Sequence, residues 1–114
     1  MAYDEALAEN LRTLLLPQGV DVEVKMFGAV CFMHRGNMVC GADKGRYLFR
    51  VGKENSAAAL ARPGATPMAM AGRVSQGFVW VDAGQCDRRQ LKAWVDIALG
   101  FVATLPAKSP AKRK

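Results

Sequence analysis

The 114-residue chain has one histidine, three cysteines and no long hydrophobic run, and each scarcity argues against a class of function. The longest apolar segments, LLL at 14–16 and IALGFVATL at 97–105, are far shorter than the roughly 20 residues that a membrane-spanning helix needs. The N-terminal segment is acidic and polar, which is not typical of a secretory signal. An odd number of cysteines without such a signal indicates free thiols in a reducing compartment. We therefore expect a cytoplasmic protein without membrane contact.

Motifs of the common catalytic and cofactor sites are also absent from the sequence. Neither a GxxxxGK[ST] loop for nucleotide phosphates nor a GxSxG nucleophile turn occurs. The cysteines form no CxxC pair and His34 has no second histidine beside it, so a zinc site lacks ligands and most hydrolytic mechanisms lack a base. We predict that the protein is not an enzyme and binds no cofactor or metal.

The positive charge of the chain is concentrated at its C-terminal end. The formal net charge is +6, and Lys108, Lys112, Arg113 and Lys114 lie within the last nine residues, which contain no acidic residue. Proline, alanine and serine fill the rest of this segment. The composition predicts one folded domain over 1–105 and a disordered basic tail over 106–114, which adds weak, salt-sensitive attraction to nucleic acid.

The spacing of apolar residues predicts an α+β domain. Apolar residues three or four positions apart indicate helices at 3–16 and 88–105, the second capped by Asp87, and a short helix after Gly52. Alternation predicts strands at 20–27, 30–34, 38–42, 46–51 and 78–82. A further short edge strand is predicted within 67–70. The first four form an antiparallel meander with turns at 28–29, at either 35–36 or 36–37, and at 43–45. The terminal helices should cover one face of a mainly antiparallel sheet.

Alternation also assigns side chains to the two faces of the meander. We predict that one face forms the core and contains Val22, Val24, Met26, Cys31, Met33, Met38 and Cys40. Cys31 and Cys40 would then be small buried hydrophobes on the same face, with a functional disulfide as the alternative. A catalytic Cys–His pair does not fit, because His34 would lie on the opposite face.

The opposite face is too apolar to be fully exposed to water. It would carry Glu23, Lys25, Phe27, Val30, Phe32, His34, Asn37 and Val39. Another part of this chain, such as 65–77, or a second subunit would have to cover it. Two arginines, Arg50 and Arg73, are placed to flank the 62–77 loop. We predict an interaction surface that consists of Lys25, Phe27, Phe32, His34, Arg50 and Arg73.

Several linked blocks of the sequence resemble the N-terminal domain of the TfoX (Sxy) family. They are KMFG, FMHRGNM, RVG, ARPGA, and GR followed by GFVWV, and they stand in this order within residues 1–105. The resemblance implies an α+β fold like that of the type III secretion chaperones. It also implies a regulator of natural competence and DNA uptake that acts with the transcription machinery. Longer members carry a C-terminal domain related to helix-hairpin-helix modules, which we expect this short form to lack.

The resemblance brings no catalytic residue to this chain. It implies a non-enzymatic regulatory module that acts through protein contacts, as a homodimer or with a protein partner in transcription regulation. The alternative is a small-molecule or nucleic-acid binding domain that uses the 62–77 loop and its nearby arginines. No helix-turn-helix or aromatic RNA-binding motif is visible to support that alternative.

Overall fold

The computed structural model describes residues 3–20, 22–26, 28–70 and 73–106, of which the side chains at 26, 69–70 and 73–76 are not described. Three-residue 3₁₀ turns cover 16–18, 53–55 and 83–85. The main elements are α1 (Glu5–Leu15), β1 (Val22–Met26), β2 (Ala29–His34), β3 (Asn37–Ala42), β4 (Arg46–Arg50), α2 (Ser56–Leu60), β5 (Ala65–Met70), β6 (Arg73–Asp82) and α3 (Arg88–Val102). This order confirms the predicted α+β class. Of the tail predicted over 106–114, residues 107–114 lie outside the described residues.

The six strands form one antiparallel sheet in the order β1-β2-β3-β4-β6-β5. The predicted four-strand meander is confirmed, and the segment predicted as a short edge strand is β5 at one edge of the sheet. The strand predicted at 78–82 is longer, because β6 begins at Arg73 and pairs with both β4 and β5. Strand β1 forms the other edge.

Acidic caps fix the starts of the two long helices. The Asp4 side chain accepts a hydrogen bond from the Ala6 backbone N–H at 2.9 Å, so α1 begins at Glu5 and not at Tyr3. Asp87 caps α3 as predicted. Its carboxylate accepts from the Gln90 backbone N–H at 2.8 Å, and the Gln90 side chain accepts from the Asp87 N–H at 2.9 Å. This reciprocal pair is a capping box.

The helices α1 and α3 pack against the same face of the sheet, over β3 and β4. Trp94 of α3 stacks on Phe49 of β4 with ring centroids 5.3 Å apart. The helices contribute mainly leucine, valine and alanine to the same cluster. The sheet residues buried beneath them include Val30, Phe32, Val39, Cys40, Ala42, Tyr47, Phe49, Val79 and Val81. Single-sided helix packing therefore agrees with the prediction.

The β2–β3 turn consists of Arg35 and Gly36. His34 pairs with Asn37, which decides between the two turns that the sequence left open. Both turn residues have positive φ, 55° at Arg35 and 83° at Gly36. A two-residue hairpin favours this backbone because its twist matches that of the flanking strands.

A β-bulge in β3 changes which side chains share a face. Phe32 pairs with Cys40, whereas the next residue, Met33, pairs with Met38, so Val39 is an extra residue. Because directly opposite residues share a face, Cys40 lies on the face of Phe32, and Cys31 lies on the other face. The prediction that Cys31 and Cys40 share one face is therefore wrong. Strict alternation cannot account for an inserted residue.

The predicted choice of core face is wrong as well. Val30, Phe32 and Val39 are at most 1% exposed beneath the helices, whereas Val22 and Val24 are 53% and 40% exposed. The cover that the sequence assigned to 65–77 or to a second subunit is provided by α1 and α3. Both faces of the meander are apolar, so the strand pattern did not reveal which of them the helices cover.

Candidate interaction surface

We call the sheet face turned away from α1 and α3 the open face. Strand register defines it, because Val24 pairs with Cys31, Cys31 with Gly41, Gly41 with Leu48 and Leu48 with Trp80. Directly opposite residues project to the same side of the sheet. The side chains of the open face include those of Val22, Val24, Cys31, Met33, Met38, Arg46, Leu48, Arg50, Thr66, Phe78, Trp80 and Asp82.

Exposure of the open face increases from its centre toward β1. Cys31 and Leu48 at the centre are 5% and 6% exposed, and Trp80 is half-buried. Val22 and Val24 on β1 are among the most exposed large hydrophobic residues of the described chain. A contiguous apolar strip of this kind, with polar residues around it, is typical of a protein interface.

Arg46 covers part of the open face with its guanidinium group. The guanidinium carbon lies 3.7 Å from the centroid of the Trp80 ring, which is a close cation–π contact. Its Nη2 also forms a 2.7 Å salt bridge with Asp43. Arg46 is thus held by contacts within the chain.

Arg50 lies at the other end of β4, between two aromatic rings. Its guanidinium carbon is 5.6 Å from the Phe78 centroid and 5.7 Å from the Phe101 centroid. Within the described part of the chain, Arg50 forms no salt bridge. It therefore presents a half-buried positive charge that no carboxylate of the described residues pairs with.

Gly41 allows close packing at the centre of the open face. A Cβ atom at this position would lie 2.6 Å from the Val30 carbonyl oxygen and 3.4 Å from Cys31 Sγ. The first distance is shorter than real contacts allow, so a side chain here would push β2 and β3 apart. The glycine thus fixes the shape of this face beside Cys31.

Three of the predicted interaction residues lie on the helix side of the sheet. Phe32 is 1% exposed in the core and is not available to a partner in this structure. Lys25 is exposed, with its Nζ 5.9 Å from the Tyr3 ring centroid. His34 is half-buried opposite Asn37, whose Nδ2 donates to the Pro106 carbonyl oxygen at 3.0 Å.

The structure does not bring the six predicted residues together on one face. Arg50 lies on the open face, whereas Lys25, Phe32 and His34 lie on the other. Phe27 is outside the described residues, and the side chain of Arg73 is not described although its backbone pairs with Met70. Sequence reasoning did not select Trp80, even though its alternation with the buried Val79 and Val81 places it opposite the core.

Arg12 of α1 bonds three carboxylates, of which Glu23 belongs to β1 and Glu5 and Glu9 belong to α1 itself. It forms two bonds to Glu23, at 2.6 and 2.9 Å, and single bonds to Glu5 at 2.9 Å and Glu9 at 2.7 Å. The bonds to Arg12 lower the pKa of the Glu23 carboxyl. The cluster holds the N-terminal helix against the edge strand of the sheet.

The three cysteines are free thiols in different surroundings. Cys40 is completely buried in the core, and burial raises the pKa of its thiol strongly. Burial also raises the pKa of the Cys31 thiol, and it raises that of Cys86 to about 11, with Asp87 adding to the effect. Because the thiolate is the nucleophile, all three are poor nucleophiles near neutral pH.

We expect thiol alkylation at pH 8 to modify the half-buried Cys86 first and Cys40 last. The rate at Cys86 should keep rising about tenfold per pH unit up to roughly pH 11, because the thiolate fraction grows until the pH reaches the pKa. An unhindered thiol would level off near pH 9. Mass spectrometry of peptides from a time course measures each site. Rapid modification of Cys40 in the folded protein would contradict its place in the core.

Two cavities lie on the helix side of the protein. The first, about 320 Å³, is formed by α1, β4 and the start of α3, and its lining includes Asn10, Tyr47 and Cys86. Asn10 Nδ2 donates to the buried Tyr47 hydroxyl at 3.0 Å. The second, about 500 Å³, is a groove between α2 and α3. Arg62 lines this groove, and it belongs to the 62–77 loop that the alternative function uses.

Two features are absent from the part of the chain that the structure describes. No group of three or more histidine, cysteine, aspartate or glutamate side chains is placed to hold a metal ion there. In the same residues, no helix combines the length and apolar character needed to cross a bilayer.

One protein-family profile matches most of the chain. The profile of the TfoX N-terminal domain matches residues 15–102, which include all six strands, α2, α3 and the last residue of α1. No curated protein and no solved structure matches the chain significantly.

Proposed function

We propose that this chain, which belongs to the TfoX N-terminal domain family, regulates transcription through a protein partner bound at its open face. The family is one of regulatory domains and is not known for catalysis. The open face carries the proposal, because its apolar strip reaches 53% exposure at Val22 without cover from either long helix.

Charge on the open face indicates what the partner should present. Arg50 is half-buried between Phe78 and Phe101 and has no salt bridge within the described residues. Arginine beside aromatic rings is common at interface hot spots. A partner surface with apolar side chains and at least one carboxylate would complement this end of β4.

The proposed role is non-catalytic. The buried thiols have raised pKa values, and His34 lies in the β2–β3 hairpin opposite Asn37. Neither described cavity contains His34 in its lining. These features support a binding module, and we propose the cytoplasm and the transcription machinery as its setting.

Four variants of the full chain test the open face in quantitative affinity purification from the native cells. Val24→Glu and Arg50→Glu change the open face, whereas Leu60→Glu and Arg89→Glu make matched changes at exposed positions on α2 and α3. A protein that is captured by the control variants but lost from Val24→Glu and Arg50→Glu is identified as the partner and purified. We expect the open-face variants to weaken its binding at least about tenfold and the control variants less than about twofold. Equal binding by all four variants would contradict the proposal.

Fluorescence anisotropy with duplex DNA across a salt series tests the nucleic-acid alternative. The full chain is compared with a variant in which Lys108, Lys112, Arg113 and Lys114 are replaced by glutamine. We expect this variant to lose the salt-sensitive binding, because the basic residues are concentrated in that segment. Binding that survives in it would instead place a DNA site on the domain and favour direct DNA contact.

A further inference from the structure

Strand β1 has a free edge whose residues suit pairing with a second copy of the same strand. It runs from Val22 to Met26, and among the residues that the structure describes it pairs with β2 alone. Val22 and Val24 project to the open face, where they are 53% and 40% exposed. Glu23 and Lys25 project to the helix side and are also exposed. The edge strand thus has apolar side chains on the open face and charged side chains on the helix side.

The hairpin between β1 and β2 determines which backbone groups face the free edge. Met26 pairs with Ala29, so the connection between β1 and β2 is two residues long. The pair that flanks such a connection exchanges both backbone hydrogen bonds, and hydrogen-bonded and non-hydrogen-bonded pairs then alternate. Counting back from Met26, the N–H and C=O groups of Glu23 and Lys25 point away from β2. They are the groups that another strand would bond.

Two β1 strands can pair antiparallel in several registers, but only one of them sets all five residues of each strand opposite a residue of the other. Its twofold axis passes through Val24 and places Glu23 of each copy opposite Lys25 of the other. Shifting the strands by two residues in either direction leaves three residues overlapped and sets Glu23 opposite Glu23 or Lys25 opposite Lys25. Opposite charges stabilise a cross-strand pair, and like charges destabilise it. Isologous contacts of this kind close a dimer.

We propose that β1 pairs with β1 of a second copy in this register, forming a homodimer with one continuous twelve-stranded sheet. The Glu23–Lys25 pairs supply the backbone hydrogen bonds, and the two Val24 side chains meet at the axis as a close, non-hydrogen-bonded pair. The open faces of the two copies join into one longer apolar surface. An edge of five residues buries little area, so the dimer should be weak, with micromolar or higher dissociation constants.

The homodimer and the partner contact proposed above both involve Val24, but Arg50 separates them, because it lies on β4 and not at the edge of β1. Arg50→Glu should therefore leave self-association unchanged. A failure of self-association would leave partner binding by the open face intact, and the two proposals can be rejected separately.

Hydrogen exchange of the unmodified chain gives the first test. The amides of Glu23 and Lys25 should exchange fast in dilute solution and become at least about fivefold slower at high protein concentration. The amide of Val24 already bonds β2, so its exchange should change less. Concentration-independent exchange at Glu23 and Lys25, with a monomer at all concentrations, would overturn the proposal.

Charge exchange between two variants gives the second test. In Lys25→Glu, positions 23 and 25 are both acidic, and in Glu23→Lys they are both basic. Like charges would then face each other across the dimer. Each variant alone should therefore self-associate at least about tenfold more weakly than the unmodified chain. An equimolar mixture restores opposite charges in the heterodimer and should associate within about threefold of the unmodified chain. Sedimentation velocity measures the two variants, their mixture and the unmodified chain.

The fold of Glu23→Lys needs its own control, since Glu23 also bonds Arg12 at 2.6 Å. Circular dichroism and a thermal melt show whether the variant is folded. If the variant is unfolded, hydrogen exchange of the unmodified chain alone decides whether the β1–β1 dimer forms. If it is folded, a mixture that associates no better than either variant alone would contradict the Glu23–Lys25 register.

Discussion

Replacing Trp94 by alanine should lower the free energy of unfolding by about 4 kcal/mol, in the range for large aromatic residues removed from a core. Trp94 is 2% exposed and stacks on Phe49, and the Arg62 guanidinium carbon lies 5.5 Å from its ring centroid. The substitution leaves a cavity between α3 and β4 that the packed sheet cannot close. Urea unfolding followed by circular dichroism measures the loss.

Trp80→Ala is the matched control, because it removes the same side chain from the open face. Trp80 is half-buried, and its close contact is the Arg46 guanidinium at 3.7 Å. We expect a loss of only about 1–2 kcal/mol, from the exposed cation–π contact and partial burial. Equal losses for the two tryptophans would mean that the open face is covered as fully as the core.

Replacing Gly52 by alanine should cost about 3 kcal/mol for two reasons that act together. Gly52 has φ 91° and ψ 147°, a conformation that residues with a Cβ rarely adopt. A Cβ atom there would also lie 2.5 Å from Cδ1 of Phe101. Moving the loop would disturb the Val51 and Gly52 N–H groups, which both donate to the Gly77 carbonyl oxygen, at 2.8 and 3.1 Å.

Gly100→Ala is the control for Gly52→Ala, and the same urea unfolding measures both. Gly100 lies within α3, and a Cβ atom at this position would meet no other atom within 4 Å. Alanine favours a helix more than glycine, so this change should raise stability by about 0.5–1 kcal/mol. A neutral result for Gly52→Ala would contradict the loop geometry that joins β4 to α2.

Local patterns were sufficient to predict most elements of this fold. Alternation in VEVKM and RYLFR predicted β1 and β4, and the apolar spacing from Leu91 to Val102 predicted α3. The Asp87 cap was predictable because its hydrogen bonds are made within three residues. The family resemblance was confirmed by the match over 15–102. Strand and helix periodicity are local properties, so the sequence carries them directly.

The candidate surface was less predictable, since it depends on contacts between distant segments. Phe32 and Val24 are both apolar residues in alternating strands, and one became core while the other stayed exposed. The difference arises because α1 and α3, about 20 and 60 residues away from Phe32 along the chain, pack on its face of the sheet. Arg46 and Trp80 are likewise brought together only by the β4–β6 pairing.

The sequence by itself thus determined the element order, the meander and the Asp87 cap of α3, because each follows from neighbouring residues. Tertiary structure decided three further points: which sheet face is open, that Arg35 and Gly36 form the turn, and that Cys31 and Cys40 lie on opposite faces. The last depends on Val39, whose insertion as a bulge shifts the pairing by one residue. Because side chains alternate with period two, that shift transfers Cys40 to the core and leaves Cys31 on the open face.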